Sequence, residues 1–109
     1  MNDKTRVSAA VRALRILKVL KGHTNYGLSN QEIATAINDT PVNVSRALST
    51  LIEEGLVDQV HDNGGGSHYK FAHSIQMLQI AHSCIAEDER LMARLEEKRH
   101  RIRAGSQNN

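Results

Sequence analysis

The chain has one cysteine, one proline, no tryptophan and only 3% aromatic residues. A lone cysteine, Cys84, excludes an internal disulfide and fits a reducing compartment. No apolar run approaches the ~18 residues of a membrane span. The charged N-terminus lacks the apolar core of a signal peptide. These absences point to a cytoplasmic protein. With so few aromatic side chains, the core must be built from Leu, Ile, Val and Ala, which suits short packed helices. The excess of basic over acidic side chains is small too: the formal net charge is +2. That value alone does not suggest a polyanionic partner, so the distribution matters more. Residues 1–21 hold Lys4, Arg6, Arg12, Arg15, Lys18 and Lys21 against Asp3 alone. Lys98, Arg99, Arg101 and Arg103 form a second basic cluster.

Signatures of catalysis are missing as well. There is no evident Ser/His/Asp arrangement, and no carboxylates cluster in a recognisable pocket. The Gly64-Gly65-Gly66-Ser67 run lies between two strand-like segments rather than before a helix, which is wrong for a nucleotide. Six histidines are present, but none pairs at i,i+4, and there is no Cys-x-x-Cys. The sequence therefore predicts no enzyme, no metal and no cofactor.

What is present is concentrated in Leu28 to Val57, LSNQEIATAINDTPVNVSRALSTLIEEGLV. Ser29 and Glu32 have capping-box spacing, with Leu28 and Ile33 at the staple positions. They start a helix whose buried stripe is Ile33, Ala34 and Ile37. Asn38 sits in the following turn, where Asn is the usual non-glycine choice for a left-handed backbone. Thr40 then caps a second helix, with Pro41 at the first helical position. Its apolar stripe is Val44, Leu48, Leu51 and Ile52, and Gly55 ends it. Two capped helices joined by so short a turn form a helix-turn-helix.

The flanks complete a small domain. A first helix over 7–21 has an apolar face of Val7, Val11 and Leu14 beside Ala10, Leu17 and Leu20, with Arg12, Arg15 and Lys18 on the polar side. Gly22 stops it. Leu56–Val60 and His68–Phe71 read as strands of a hairpin around the loop 62–67, with Tyr69 and Phe71 facing inward by alternation. The hairpin has the position of a wing. The fold class is mainly α with a small β-hairpin: a winged helix-turn-helix (1–74) followed by a long C-terminal helix (75–103) and a disordered tail (104–109).

A helix fits the major groove of B-DNA, and in this motif the second helix reads it. Turning about 100° per residue puts Val42, Asn43, Arg46, Ser49 and Thr50 on the outer face. Arg46 can donate two bonds to guanine or grip a phosphate, and Asn43 can pair with adenine. Val42 is either a thymine-methyl contact or plain surface. Ser29, Thr40 and Ser45 are short hydroxyls suited to phosphates. Gly64, Gly65 and Gly66 let the wing backbone lie close to a groove, or make a plain hairpin loop. His68 and Lys70 are the wing's cationic candidates.

Read together, VRALRILKVL (11–20), GLSNQEIATAINDTPVNVSRALSTLIEEGLV (27–57) and the Tyr69 strand resemble the N-terminal domain of IclR-family transcriptional regulators. The resemblance implies a winged helix-turn-helix that binds operator DNA as an oligomer. It implies that Val42, Asn43, Ser45 and Arg46 do the reading. The family favours Lys-Ser-Thr or similar residues where this chain has Pro41, Val42 and Asn43, which implies a different operator. The family's larger effector-binding domain has no counterpart in this sequence, so no effector domain is expected and the family's small-molecule effectors do not carry over. That size suits a phage or bacterial regulator.

In the last helix, Met77, Ala81, Cys84, Asp88, Leu91, Leu95, Lys98 and Ile102 alternate steps of four and three, a heptad seam weakened by Asp88 and Lys98. Residues 75–103 would extend about 43 Å as a helix. The seam, through Met77, Ala81, Cys84, Leu91, Leu95 and Ile102, is expected to join two copies. The alternative is a helix folded back through Met77, Leu78 and Ile85 to complete the core. Cys84 is expected to be a small buried filler.

The predicted partners are therefore double-stranded DNA and a second copy of the chain, with a nucleoid-associated location. Two other readings stay open: a non-specific nucleoid or replication accessory protein, and a winged-helix module that docks onto protein.

Overall fold

A computed structural model describes residues 7–61 and 69–107. The elements run α1 (Ala9–Val19), β1 (Leu28–Ser29), α2 (Asn30–Ile37), α3 (Pro41–Glu53), β2 (Val57–His61), β3 (Tyr69–His73) and α4 (Ile75–Gln107). They divide into two compact units, residues 1–77 and 78–109.

Local chemistry sets the helix boundaries of the first unit. Ser8 caps α1 by accepting from the Val11 N–H. The capping box at Ser29 and Glu32 is formed in both directions. Thr40 caps α3 by accepting from the Asn43 N–H, and Pro41 follows it. Asn38 takes the left-handed conformation at φ 56°, which lets the chain leave α2 and enter α3 within three residues.

The core is small and aliphatic. Ile16, Leu20, Ile33, Val44, Leu48 and Val57 are fully enclosed, with Leu51 and Phe71 beside them. Two inward faces differ from the sequence expectation. α1 buries Ile16 and Leu20, whereas Val11 and Leu14 lie 40% and 58% exposed. The helix carries apolar side chains around most of its circumference, and α2 and α3 cover only one side of it. Ile52 is also exposed, because Ala47 rather than Ile52 completes the stripe of Val44, Leu48 and Leu51.

The sheet has three strands, not two, in the order β1-β3-β2 and antiparallel throughout. β1 is too short to leave a periodic signature; it pairs Leu28 with Phe71 and Ser29 with Lys70. Gly27 makes this approach possible. Its φ is +73°, and a Cβ there would sit 2.8 Å from the Phe71 carbonyl oxygen. Phe71 packs into the core as expected, but Tyr69 does not. It lies half-exposed opposite His61 at the far end of the ladder, and the two rings sit 5.2 Å apart.

Two side chains fasten the sheet to its surroundings. His73 Nε2 lies 2.8 Å from the Leu17 carbonyl oxygen. A carbonyl can only accept, so Nε2 carries the proton and donates. Ser74 is buried; its hydroxyl donates to the Gly55 carbonyl oxygen and accepts from the Met77 N–H. The same residue therefore caps α4 and ties its start to the turn after α3.

The second unit is the greater part of α4. Residues 104–107, expected to be disordered, continue this helix. Ala104 favours helix, and a helix already nucleated extends one bond per residue. Cys84, expected to be buried, is exposed. Leu91, Leu95 and Ile102 are exposed as well. No helix of the described residues is long and apolar enough to cross a membrane.

Candidate nucleic-acid interface

Helix α3 presents two unlike faces. Val44, Ala47, Leu48 and Leu51 are buried, while Val42, Ser45, Arg46, Ser49 and Thr50 point outward. Val42 is 61% exposed although it is apolar. Arg46 takes part in none of the ion pairs among the described residues. The Thr50 hydroxyl reaches back 3.4 Å to the Arg46 carbonyl oxygen, a long contact. Glu53 is exposed at the C-terminal end of the helix.

The first turn of α3 is held from two directions. On one side Arg12 of α1 donates from Nε to Asp39 Oδ2 at 2.7 Å. Asp39 Oδ1 accepts from the Thr40 N–H at 2.7 Å and from Asn43 Nδ2 at 2.9 Å. Both members of the ion pair keep only 13% of their side-chain surface. Loss of water alone would raise the Asp39 carboxyl, but the bonds from Arg12, Asn43 and Thr40 outweigh it and hold the pKa at about 2. On the other side Asn30 Nδ2 donates to Ser45 Oγ at 2.7 Å and to the Pro41 carbonyl oxygen at 3.2 Å. Asn30 Oδ1 is buried with no hydrogen-bond partner among the described residues.

These contacts change the reading of several residues. Asn43, expected to face a base, is half-buried and turned toward Asp39. The oxygens of Ser29, Thr40 and Ser45 accept from the Glu32 N–H, the Asn43 N–H and Asn30 Nδ2 respectively. Each hydroxyl hydrogen remains available to donate. Glu32 is held below its ordinary carboxyl range, first by the Ser29 N–H and then by the Ser29 hydroxyl. Lys70 of β3 joins Ser29, Asn30, Glu32, Pro41 and Tyr69 around a cleft of about 580 Å³. Gly64, Gly65, Gly66 and His68 lie outside the described residues. Arg12, Asp39 and Asn30 were not singled out from the sequence. The one local hint was an Asp directly before a Thr-Pro helix start.

Residues 9–61 match the family model described as the IclR helix-turn-helix domain. Over these residues the chain is similar to that helix-turn-helix domain. No curated protein matches the chain in sequence. Among solved structures, the chain is similar to Staphylococcus aureus MepR in a MepR–DNA complex, at 17% identity and a TM-score of 0.59. That match covers 90% of this chain and 79% of MepR. The PcaV transcriptional regulator from Streptomyces coelicolor is 19% identical, with a TM-score of 0.54 over 62% of this chain and 47% of its own. A MarR protein from Peptoclostridium difficile is 18% identical, with a TM-score of 0.52 over 74% of this chain and 51% of its own. The fold is thus a winged helix like that of these proteins. Among the described residues, no three His, Cys, Asp or Glu side chains gather as metal ligands would.

Proposed function

We propose that the protein is a sequence-specific regulator of transcription that reads double-stranded DNA with α3. The observation that carries this reading is the outer face of α3. Val42, Arg46, Ser49 and Thr50 are exposed, while the start of the helix that bears them is anchored to both α1 and α2. A rigid helix with an unspent guanidinium at groove-reading position has the chemistry of direct readout. Arg46 would donate to guanine, and Val42 would touch a thymine methyl. Ser29, Thr40 and Ser45 would donate to phosphates beside the groove, with Lys70 and His68 of the wing adding charge and the Gly64–Gly66 backbone lying close. The MepR–DNA complex, which shares the fold, supports DNA as the partner.

A second copy of the chain is part of this reading. One domain of this kind reads few base pairs, and pairing doubles the site. The exposed residues Leu91, Leu95 and Ile102, with Met77, Ala81 and Cys84 in the same four-three spacing, supply the seam along α4.

Selection of bound duplexes from a randomised library at two salt concentrations tests the proposal. The expected result is an enriched motif repeated with two-fold symmetry, bound less tightly as salt rises. Salt-sensitive binding without enrichment would replace it with a non-specific nucleoid or accessory role. No binding at either salt would favour protein docking.

A further inference from the structure

We propose that Asp39 is the positioning residue of the recognition helix, and that Asn43 serves this anchor rather than a DNA base. The inference rests on the DNA-reading function and adds a division of labour within α3. Three donors converge on one carboxylate: the Arg12 guanidinium, the Thr40 N–H and the Asn43 amide. Thr40 is the helix cap and Asn43 lies in the first turn, so one side chain fixes where α3 begins and how it is rotated. Arg12 comes from α1, 27 residues away, which ties that rotation to the body of the domain.

Two consequences follow for recognition. A bidentate pair with adenine needs both the oxygen and the amide nitrogen of Asn43 turned to the groove. Nδ2 is held by a carboxylate at 2.9 Å, a charge-assisted bond that is strong in a site with little water. Asp39 would also repel a phosphate backbone if left bare; the Arg12 ion pair neutralises it at the edge of the interface. The readers are then Val42, Arg46, Ser49 and Thr50, and the base preference of the protein is independent of Asn43.

The test is a library selection with the full chain as wild type, Asn43→Ala, Asp39→Asn and Arg46→Ala. Circular dichroism at the assay temperature keeps only folded variants in the comparison. Asn43→Ala and Asp39→Asn are expected to select the wild-type motif with affinity lowered roughly tenfold at every sequence. Arg46→Ala is expected to lose preference at one or two positions. Unchanged affinity in folded Asp39→Asn would leave the carboxylate a stabilising contact only and overturn the positioning role. A base preference lost specifically in Asn43→Ala would make Asn43 a reader and overturn its assignment. A wild-type protein that selects nothing would overturn the DNA-reading function and the positioning role with it.

Discussion

The body at residues 7–77 and the helix at 78–107 use the same aliphatic residue types to opposite ends. In the body, Ile16, Leu20, Ile33 and Val44 have no exposed surface at all. In the helix, Ile85, Leu91, Met92, Leu95 and Ile102 keep between 46% and 61% of theirs. Hydrophobic periodicity places both sets on shared helix faces. It reports which side chains stand together, not what covers them. α1 makes the point within one element, since Val11 and Leu14 share good helical spacing yet stay exposed while Ile16 is enclosed. The body is accordingly a finished core. The α4 stripe is a surface that a partner would complete.

The comparison can be broken first at the core. Leu48→Ala removes a side chain that is 2% exposed. It should cost about 2–5 kcal/mol, read by urea denaturation, because the neighbours can close the gap only in part. A cost under about 0.5 kcal/mol would mean that the core is looser than its burial implies. Leu91→Asp together with Leu95→Asp should leave that stability nearly unchanged and convert a dimer into a monomer in analytical ultracentrifugation. A dimer that persists would place the interface elsewhere.

A smaller effect is expected at the anchor. The Asp39 carboxyl sits at about 2 against an ordinary 3.8, so its bonds stabilise the fold above the unfolded value and lose that contribution as pH falls through the folded one. The stabilisation present at neutral pH is roughly 2 kcal/mol and should fade between about pH 5 and pH 2. Asp39→Asn should flatten this part of the stability curve; a variant with the same acid slope would assign the slope to other carboxylates. Smallest is Thr40→Ala, which removes the acceptor for the Asn43 N–H. It should lower stability by about 1 kcal/mol in thermal melts. No change would show that Asp39 holds the first turn unaided.

The parts of the fold that could be read from the sequence are those fixed by near neighbours. The capping box at Ser29 and Glu32, the Thr40-Pro41 start and the left-handed Asn38 each depend on residues within a turn of one another. So does the outward direction of Val42, Arg46, Ser49 and Thr50. What escaped the reading depends on distant partners. Arg12 looked like a solvated charge until Asp39 was brought beside it. Asn30 carries no signal in the sequence, and its bond to Ser45 of α3 exists only once the two helices meet. β1 is two residues long, and only pairing with β3 makes it a strand. Asn43 has two candidate partners, of which the sequence showed only one. Its helical angle allows a groove contact, but the nearest acceptor lies within the protein.

The central claim is that α3 reads DNA through its outer face, with Arg46 as the principal donor. Its most direct test is equilibrium binding of the library-selected duplex by wild type and by Arg46→Ala, each checked for native circular dichroism. Affinity for the selected duplex should fall roughly 5- to 150-fold in the variant, toward the level of an unrelated duplex, as about 1–3 kcal/mol for a good guanidinium–guanine pair implies. A folded Arg46→Ala protein that binds the selected duplex as tightly as wild type would contradict the account.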